Sequence, residues 1–160
     1  MREYKLGENG PAGGIVFYDK GEYTDGWRYF EISPIDQSKS IKWYAGSPAN
    51  TLKTIGAGYS NTQKITEYSK EEIGSYAASI CKMYTINNFS DWFLPSLEEL
   101  SLIYVNLKQK EISNLSNDWY WSSSEGGFSN GYAWGIDFKD GKQSTRAKGG
   151  ENSVRAIRMF

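Results

Sequence analysis

The last forty-two residues of the chain alternate short strand-like segments with glycine-rich turns, and this pattern constrains the fold more than any other feature. Residues 119–125 and 132–138 are rich in aromatic residues, which favour strands, and a glycine-rich segment separates them. Asp140 and Gly141 predict a tight turn, and a last strand is predicted over residues 154–159. The chain is therefore expected to end in three or four short strands.

Two apolar segments near the start, residues 14–18 and 27–32, predict a hairpin with a long loop. Residues 33–60 are predicted to be mostly loop, with Trp43 and Tyr44 as an anchor. We expect the last strand to pair with the N-terminal strand and to close the domain.

Two helices are predicted from capping boxes that precede helical periodicity. Ser69 and Glu72 form the first box, and Ser96 and Glu99 form the second after a short strand that ends at Pro95. A shorter helical turn is expected near residues 61–67. Apolar residues recur on one face of each helix: Ile73, Tyr76, Ala77, Ile80, Cys81 and Tyr84 in the first, and Leu97, Leu100, Ile103, Tyr104 and Leu107 in the second.

These elements predict one α+β domain over residues 1–160, a length that can bury a core of its own. The single cysteine, Cys81, excludes an intrachain disulfide and is expected to be buried. No segment approaches transmembrane length, so we expect no membrane insertion. Met1 is not followed by the apolar run of a signal peptide, and we expect the domain to belong to a longer protein, surface-exposed or secreted.

The residues of common catalytic and metal sites are missing from the sequence. It has no histidine and one cysteine, which excludes Ser-His and Cys-His pairs and ordinary zinc sites. Neither a nucleotide fingerprint nor a calcium-loop series of oxygen ligands occurs. A carboxylate site at Asp91, Glu98 and Glu99 stays open, although helix capping explains Glu99 more simply. We therefore expect a non-enzymatic protein without metal or cofactor.

The formal net charge of −1 gives the whole molecule no strong electrostatic partner, and no nucleic-acid partner is expected. From Lys139 to the end, however, six bases oppose two acids, a balance of 6 − 2 = +4. This segment forms either a basic face for a polyanion or a set of solvated hairpin charges.

Several segments together resemble the bacterial Lcl C-terminal-domain family. They are residues 10–19 (GPAGGIVFYD), 26–29 (GWRY), 91–100 (DWFLPSLEEL), 120–124 (YWSSS), 133–141 and 154–158 (VRAIR). The resemblance implies a C-type-lectin-like fold with small mixed or antiparallel sheets, two flanking helices and paired termini. It also implies cell-surface adhesion, sulfated glycosaminoglycan as a partner, and a trimeric assembly. The Glu-Pro-Asn and Trp-Asn-Asp motifs of calcium-dependent lectins do not occur, so calcium-dependent sugar binding is not expected.

Three hypotheses follow for the function. The first is a binding module for a surface glycan, sulfated or not, or for a protein. The second is a retroelement-diversified receptor that varies residues 125–132 and 143–151 and binds a protein ligand. The third is a structural domain that trimerises a surface protein. The candidate ligand-binding residues are Tyr120, Glu125, Phe128, Asn130, Tyr132, Gln143, Thr145, Arg146 and Lys148. For Tyr120, Phe128 and Tyr132, packing in the core is an equal alternative to recognition.

Overall fold

The structure, a computed structural model, describes residues 1–44, 46, 48–126 and 130–160. Three strands come first, then three helices, then five strands, in the order β1 (Ile15–Thr24), β2 (Trp27–Ile32), β3 (Ser38–Lys42), α1 (Gly58–Tyr68), α2 (Ala77–Met83), α3 (Leu97–Ile103), β4 (Trp119–Glu125), β5 (Tyr132–Asp137), β6 (Lys142–Ala147), β7 (Glu151–Val154) and β8 (Ile157–Met159). A π-helical turn, Tyr104–Lys108, extends α3. The expected α+β class is confirmed, and the arrangement is consistent with a small C-type-lectin-like domain.

The chain ends meet in a three-stranded sheet of order β1-β2-β8. The last strand was expected to pair with the N-terminal strand, but β8 pairs antiparallel with β2, the second strand of the hairpin. The Phe160 carbonyl also accepts hydrogen bonds from the amides of Arg28 and Tyr29. The predicted closure of the domain is confirmed, with β2 rather than β1 as the partner.

The second sheet has five strands in the order β3-β7-β4-β5-β6. β4 and β7 pair in parallel through Tyr120 and Ser153, and the other neighbours pair antiparallel. The segment predicted as one last strand is thus divided: β7 joins this sheet and β8 joins the first. β3 lies in the region that the sequence predicts to be mostly loop, and of the two expected anchor residues Trp43 is buried while Tyr44 is exposed.

The capping box predicted at Ser69 and Glu72 does not form. α2 begins only at Ala77, because Gly74 adopts a φ of +93° and Tyr76 is extended, which no helix can contain. Ile73 therefore lies outside the helix and is 69% exposed, contrary to the prediction. α1, predicted as a short turn, is a helix of eleven residues.

The capping box at Ser96 and Glu99 is confirmed. The Ser96 hydroxyl accepts the Glu99 amide, and the Glu99 carboxylate accepts the Ser96 amide at 2.8 Å. The predicted apolar face is also confirmed for Leu97, Leu100 and Ile103, which are buried.

Two apolar clusters fill the interior, one against α1 and α2 and the other against α3. Cys81 is fully buried in the first cluster, as predicted, and burial raises the pKa of its thiol. Ile136 and Phe138 are buried in or beside β5, whereas Trp134, which the strand alternation places on the same face, is only partly buried. Among the described helices, none combines the length and apolar character needed to cross a bilayer.

Candidate functional site

Three of the six basic side chains between Lys139 and the C-terminus are buried and cannot form a basic face. Lys148, Arg155 and Arg158 are 1%, 3% and 5% exposed, respectively. Arg155 donates to Asp36, and Arg158 donates to Glu31 and Asp91, so both arginines bind acids from earlier in the chain. The local excess of positive charge is therefore largely neutralised inside the fold, and the expected basic face is reduced to Lys139, Lys142 and Arg146.

Lys148 and Glu125, two predicted binding residues, are bound to each other. The Lys148 ammonium donates to Glu125 Oε2 at 2.9 Å and lies 4.6 Å from the centre of the Trp43 ring. Glu125 Oε1 accepts the amide of Ala49 at 2.7 Å. Lys148, a candidate ligand-binding residue from the sequence, is instead buried, and its ion pair with Glu125 holds the 49–51 loop against the end of β4.

Tyr120, whose role was left open, belongs to the core. It is fully buried against Phe138, and its hydroxyl donates to Asp36 at 3.0 Å. Burial raises the pKa of Tyr120. Phe128 lies outside the described residues. Tyr132, at the start of β5, and Asn130 in the preceding turn are exposed.

The candidates on β6 divide between the two faces of the sheet. Ser144 accepts the indole N–H of Trp119, and the Arg146 guanidinium lies 4.5 Å from the centre of the Trp119 ring. Gln143 and Thr145 occupy the alternate positions and so point to the opposite face. The structure therefore separates Arg146 from the other two predicted residues of this strand.

Arg146 lines an open polar cleft of about 310 Å³. We call this the sheet cleft. Strand ends and adjoining turns of the five-stranded sheet supply its walls: Lys39, Asn117, Asp118, Trp119, Asp137, Arg146, Glu151, Asn152 and Ser153. Only Arg146 among these was predicted to bind ligand.

Trp119 forms the rigid floor of the sheet cleft. Its ring lies directly over Gly135 of β5, where a Cβ atom would come within 2.3 Å of the ring. The Trp121 ring packs against it in a T-shaped pair with ring centres 4.9 Å apart. Arg146 is fixed across this floor because its guanidinium also donates to the Asn152 side chain. Arg146 and Asn152 are therefore held in position by contacts within the protein.

The lining of the sheet cleft carries more negative than positive charge. It holds three carboxylates, on Asp118, Asp137 and Glu151, against the two cations Lys39 and Arg146. Asp118 accepts the hydroxyls of Ser116 and Ser153, and Glu151 accepts the hydroxyl of Ser40 at 3.1 Å. Such a wall offers both acceptors and donors, the combination that hydroxyl groups need. Within the described ranges, no group of three or more acidic or cysteine side chains could hold a metal ion.

Of the three acids considered as a carboxylate site from the sequence, Glu99 stabilises the fold. Burial raises the pKa of Glu99 to about 7, against the opposing effect of backbone amide donors. Its Oε2 accepts the amides of Gly56 and Gly58, at 2.8 and 3.3 Å. Asp91 is bound to Arg158 and Glu98 to the amide of Ile55, so the three acids serve different contacts.

Sequence reasoning missed most of the sheet cleft because its residues come from segments far apart in the chain. Lys39 belongs to β3 and Glu151 to β7, neither of which was predicted as a separate strand. The one available signal was the run of polar residues at 116–118 directly before the aromatic strand.

Comparison with known proteins identifies the family of the chain. No curated protein matches the chain significantly. A model of the Lcl C-terminal domain matches residues 34–158, which include α1 to α3 and every strand that lines the sheet cleft. The chain belongs to the Lcl C-terminal domain family.

Proposed function

We propose that the domain is a non-enzymatic binding module whose sheet cleft takes a hydroxyl-rich surface glycan that carries no sulfate. The observation that carries this proposal is the preorganised lining: carboxylates, an amide and a guanidinium fixed around the Trp119 floor. Ligand sites generally use a few polar groups, held in position, to fix the orientation of the ligand. Sugar hydroxyls both donate and accept, so they can satisfy the carboxylates and Arg146 together.

The charges of the site favour a neutral or amine-bearing glycan over a sulfated one. Three carboxylates against two cations would repel a sulfate group, whereas they attract hydroxyl or ammonium groups. The burial of Lys148, Arg155 and Arg158 removes the cations that a polyanion would otherwise contact. The sulfated-polysaccharide hypothesis therefore loses its main physical support.

A glycan array tests the proposal directly. It should include neutral, amine-bearing and sulfated glycans, each at low and at physiological salt. We expect binding to neutral glycans that changes little with salt, because few ionic contacts are screened. Arg146→Ala and Glu151→Ala should abolish it, and Lys142→Ala, an equal loss of charge to Arg146→Ala on the same strand, should not. Salt-sensitive binding of sulfated glycans, lost in Lys142→Ala, would contradict the proposed ligand class.

A further inference from the structure

Among the residues that the structure describes, each of the two sheets has two edge strands, and three of these four edges are protected. The pairings of β1 and of β3 with their neighbours contain register shifts, the irregularities with which proteins commonly blunt an edge. β8 is covered by the Phe93 segment, whose backbone exchanges two hydrogen bonds with Ile157. The fourth edge is β6.

β6 has the geometry of a regular edge strand. It pairs with β5 over six consecutive residues without a register shift, and it contains no proline. It is the terminal strand of its sheet, and in the part of the chain that the structure describes no strand pairs with its outer side. A regular edge of this kind is a template for another strand.

The outward backbone groups can be assigned from the ladder. The Lys148 amide donates to the Gly131 carbonyl, so this pair continues the β5–β6 register as a hydrogen-bonded pair. Hydrogen-bonded and non-hydrogen-bonded pairs alternate in antiparallel sheets. The amides and carbonyls of Gln143 and Thr145 therefore point away from β5, as does the amide of Ala147, whose carbonyl accepts the Gly150 amide.

The charge of β6 selects the partner. The strand carries Lys142 and Arg146 and no acid, so its own charge is +2. A second copy of β6 would bring the same charge to the same edge, which disfavours self-pairing. A strand with acidic residues at the two positions opposite Lys142 and Arg146 would be attracted instead.

We propose that β6 accepts an extended segment of a partner protein, with acidic side chains four residues apart, as a sixth strand of the sheet. Main-chain hydrogen bonds to Gln143 and Thr145 would supply affinity, and the basic side chains would select the sequence. This interaction uses the outer backbone edge of β6, whereas the glycan would lie in the sheet cleft, and the two sites share the Arg146 side chain.

The probe is the synthetic peptide acetyl-Val-Glu-Val-Thr-Val-Glu-Val-amide, titrated into the whole ¹⁵N-labelled chain. The amides of Gln143, Thr145 and Ala147 should shift and become protected from hydrogen exchange. The same peptide with Lys in place of both Glu residues should bind more weakly. Shifts confined to other regions, or equal binding of the two peptides, would overturn the proposal.

The matched variants are Thr145→Pro and Thr145→Val. Proline removes an outward N–H and no bond to β5, so it is compatible with the fold at this position, whereas valine keeps the N–H. Thr145→Pro should weaken peptide binding by about fivefold or more, the effect of losing a backbone hydrogen bond, and Thr145→Val should not. Equal affinities of the two variants would overturn the proposal.

Sedimentation of the chain without peptide tests whether a second copy of the chain pairs with β6 instead of an acidic partner. We expect no self-association through this edge. An oligomer that Thr145→Pro dissociates and Thr145→Val leaves intact would replace the acidic partner with a second copy of the chain. The hydrogen-exchange comparison uses the wild-type chain, so it holds even where the proline variant does not fold.

Discussion

At the scale of single residues, buried charged side chains are expected to contribute more to the stability of this molecule than exposed ones. Lys148 is 1% exposed and Glu31 is fully buried, yet each has a partner of opposite charge at hydrogen-bonding distance. Removing one partner from such a pair leaves an uncompensated charge in a poorly solvated site. These residues are therefore expected to affect stability more than ligand binding.

Lys148→Met tests this expectation while keeping a long apolar stem in place. The variant leaves Glu125 Oε2 without its cation, and we expect the free energy of unfolding to fall by about 3 kcal/mol. Lys142→Met, at an exposed position of β6, should change it by less than about 0.5 kcal/mol. Urea unfolding of both variants provides the measurement, and equal stabilities would show that the pair has no structural role.

Glu99 should make stability depend on pH. Its pKa is raised by burial from 4.5 to about 7 in the folded chain, so the folded state binds the proton more tightly than the unfolded state does. The contribution of Glu99 is then complete below pH 4.5 and is lost as the pH rises through 7. Relative to Glu99→Gln, the wild-type protein should lose about 3 kcal/mol over this interval. A difference that stays constant with pH in urea unfolding would refute the raised pKa.

At the scale of elements, the α3 cap also holds an irregular loop. The Ser96 hydroxyl accepts the Glu99 amide and donates to the Thr54 carbonyl at 2.8 Å. Further contacts to the loop come from Glu98, Glu99 and Asn61, which bind the amides of Ile55, Gly56 and Leu52. The segment at residues 52–58 is thus positioned by side chains rather than by strand pairing.

Ser96→Ala should therefore lower the free energy of unfolding by more than the loss of an ordinary N-cap does. It removes the cap and the bond to Thr54, and we expect a loss of about 2 kcal/mol in thermal or urea unfolding. Ser101→Ala, the same substitution inside α3, should leave stability within about 0.5 kcal/mol of wild type. Similar losses for both variants would mean that Ser96 acts only through helix propensity.

The elements that the sequence predicts correctly are those set by residues close together in the chain. Local chemistry predicted the pairing of β1 with β2 and the Ser96 box correctly, because the residues that decide them are close in sequence. The long loop expected in the hairpin is wrong, since β1 continues to Thr24 and a tight turn at Asp25 and Gly26 joins it to β2. The same reasoning failed at Ser69, because Gly74 adopts a positive φ that a right-handed helix cannot contain, in spite of the capping pattern before it. The burial of Lys148 depends on Glu125 and Trp43, and their distance in the chain leaves no local signal.

At the scale of the whole molecule, the C-terminus connects both parts of the fold. Ile157 is buried and bonds to Phe93 just before α3, and Arg158 ties β8 to Glu31 and Asp91. The last strand therefore joins the hairpin sheet to the segment that leads into the helix.

Removal of residues 157–160 should abolish cooperative unfolding, because the first sheet loses a strand and Glu31 loses its cation. Removal of residues 1–3 should have little effect, since their one ion pair, Glu3 with Arg28, is exposed. Near-ultraviolet circular dichroism during heating compares the two truncations. A cooperative transition in the chain without residues 157–160 would show that β8 is dispensable.

The sheet cleft, rather than a basic face, is the ligand-binding site that we propose. The most direct test is a nuclear magnetic resonance titration of the labelled protein with neutral oligosaccharides, following the tryptophan indole N–H signals. We expect the Trp119 signal and the Asn152 side-chain amide to shift together, while the signals of Trp27 and Trp92 stay in place. Shifts at Trp27 or Trp92 without Trp119, or a response to sulfated oligosaccharides alone, would contradict it.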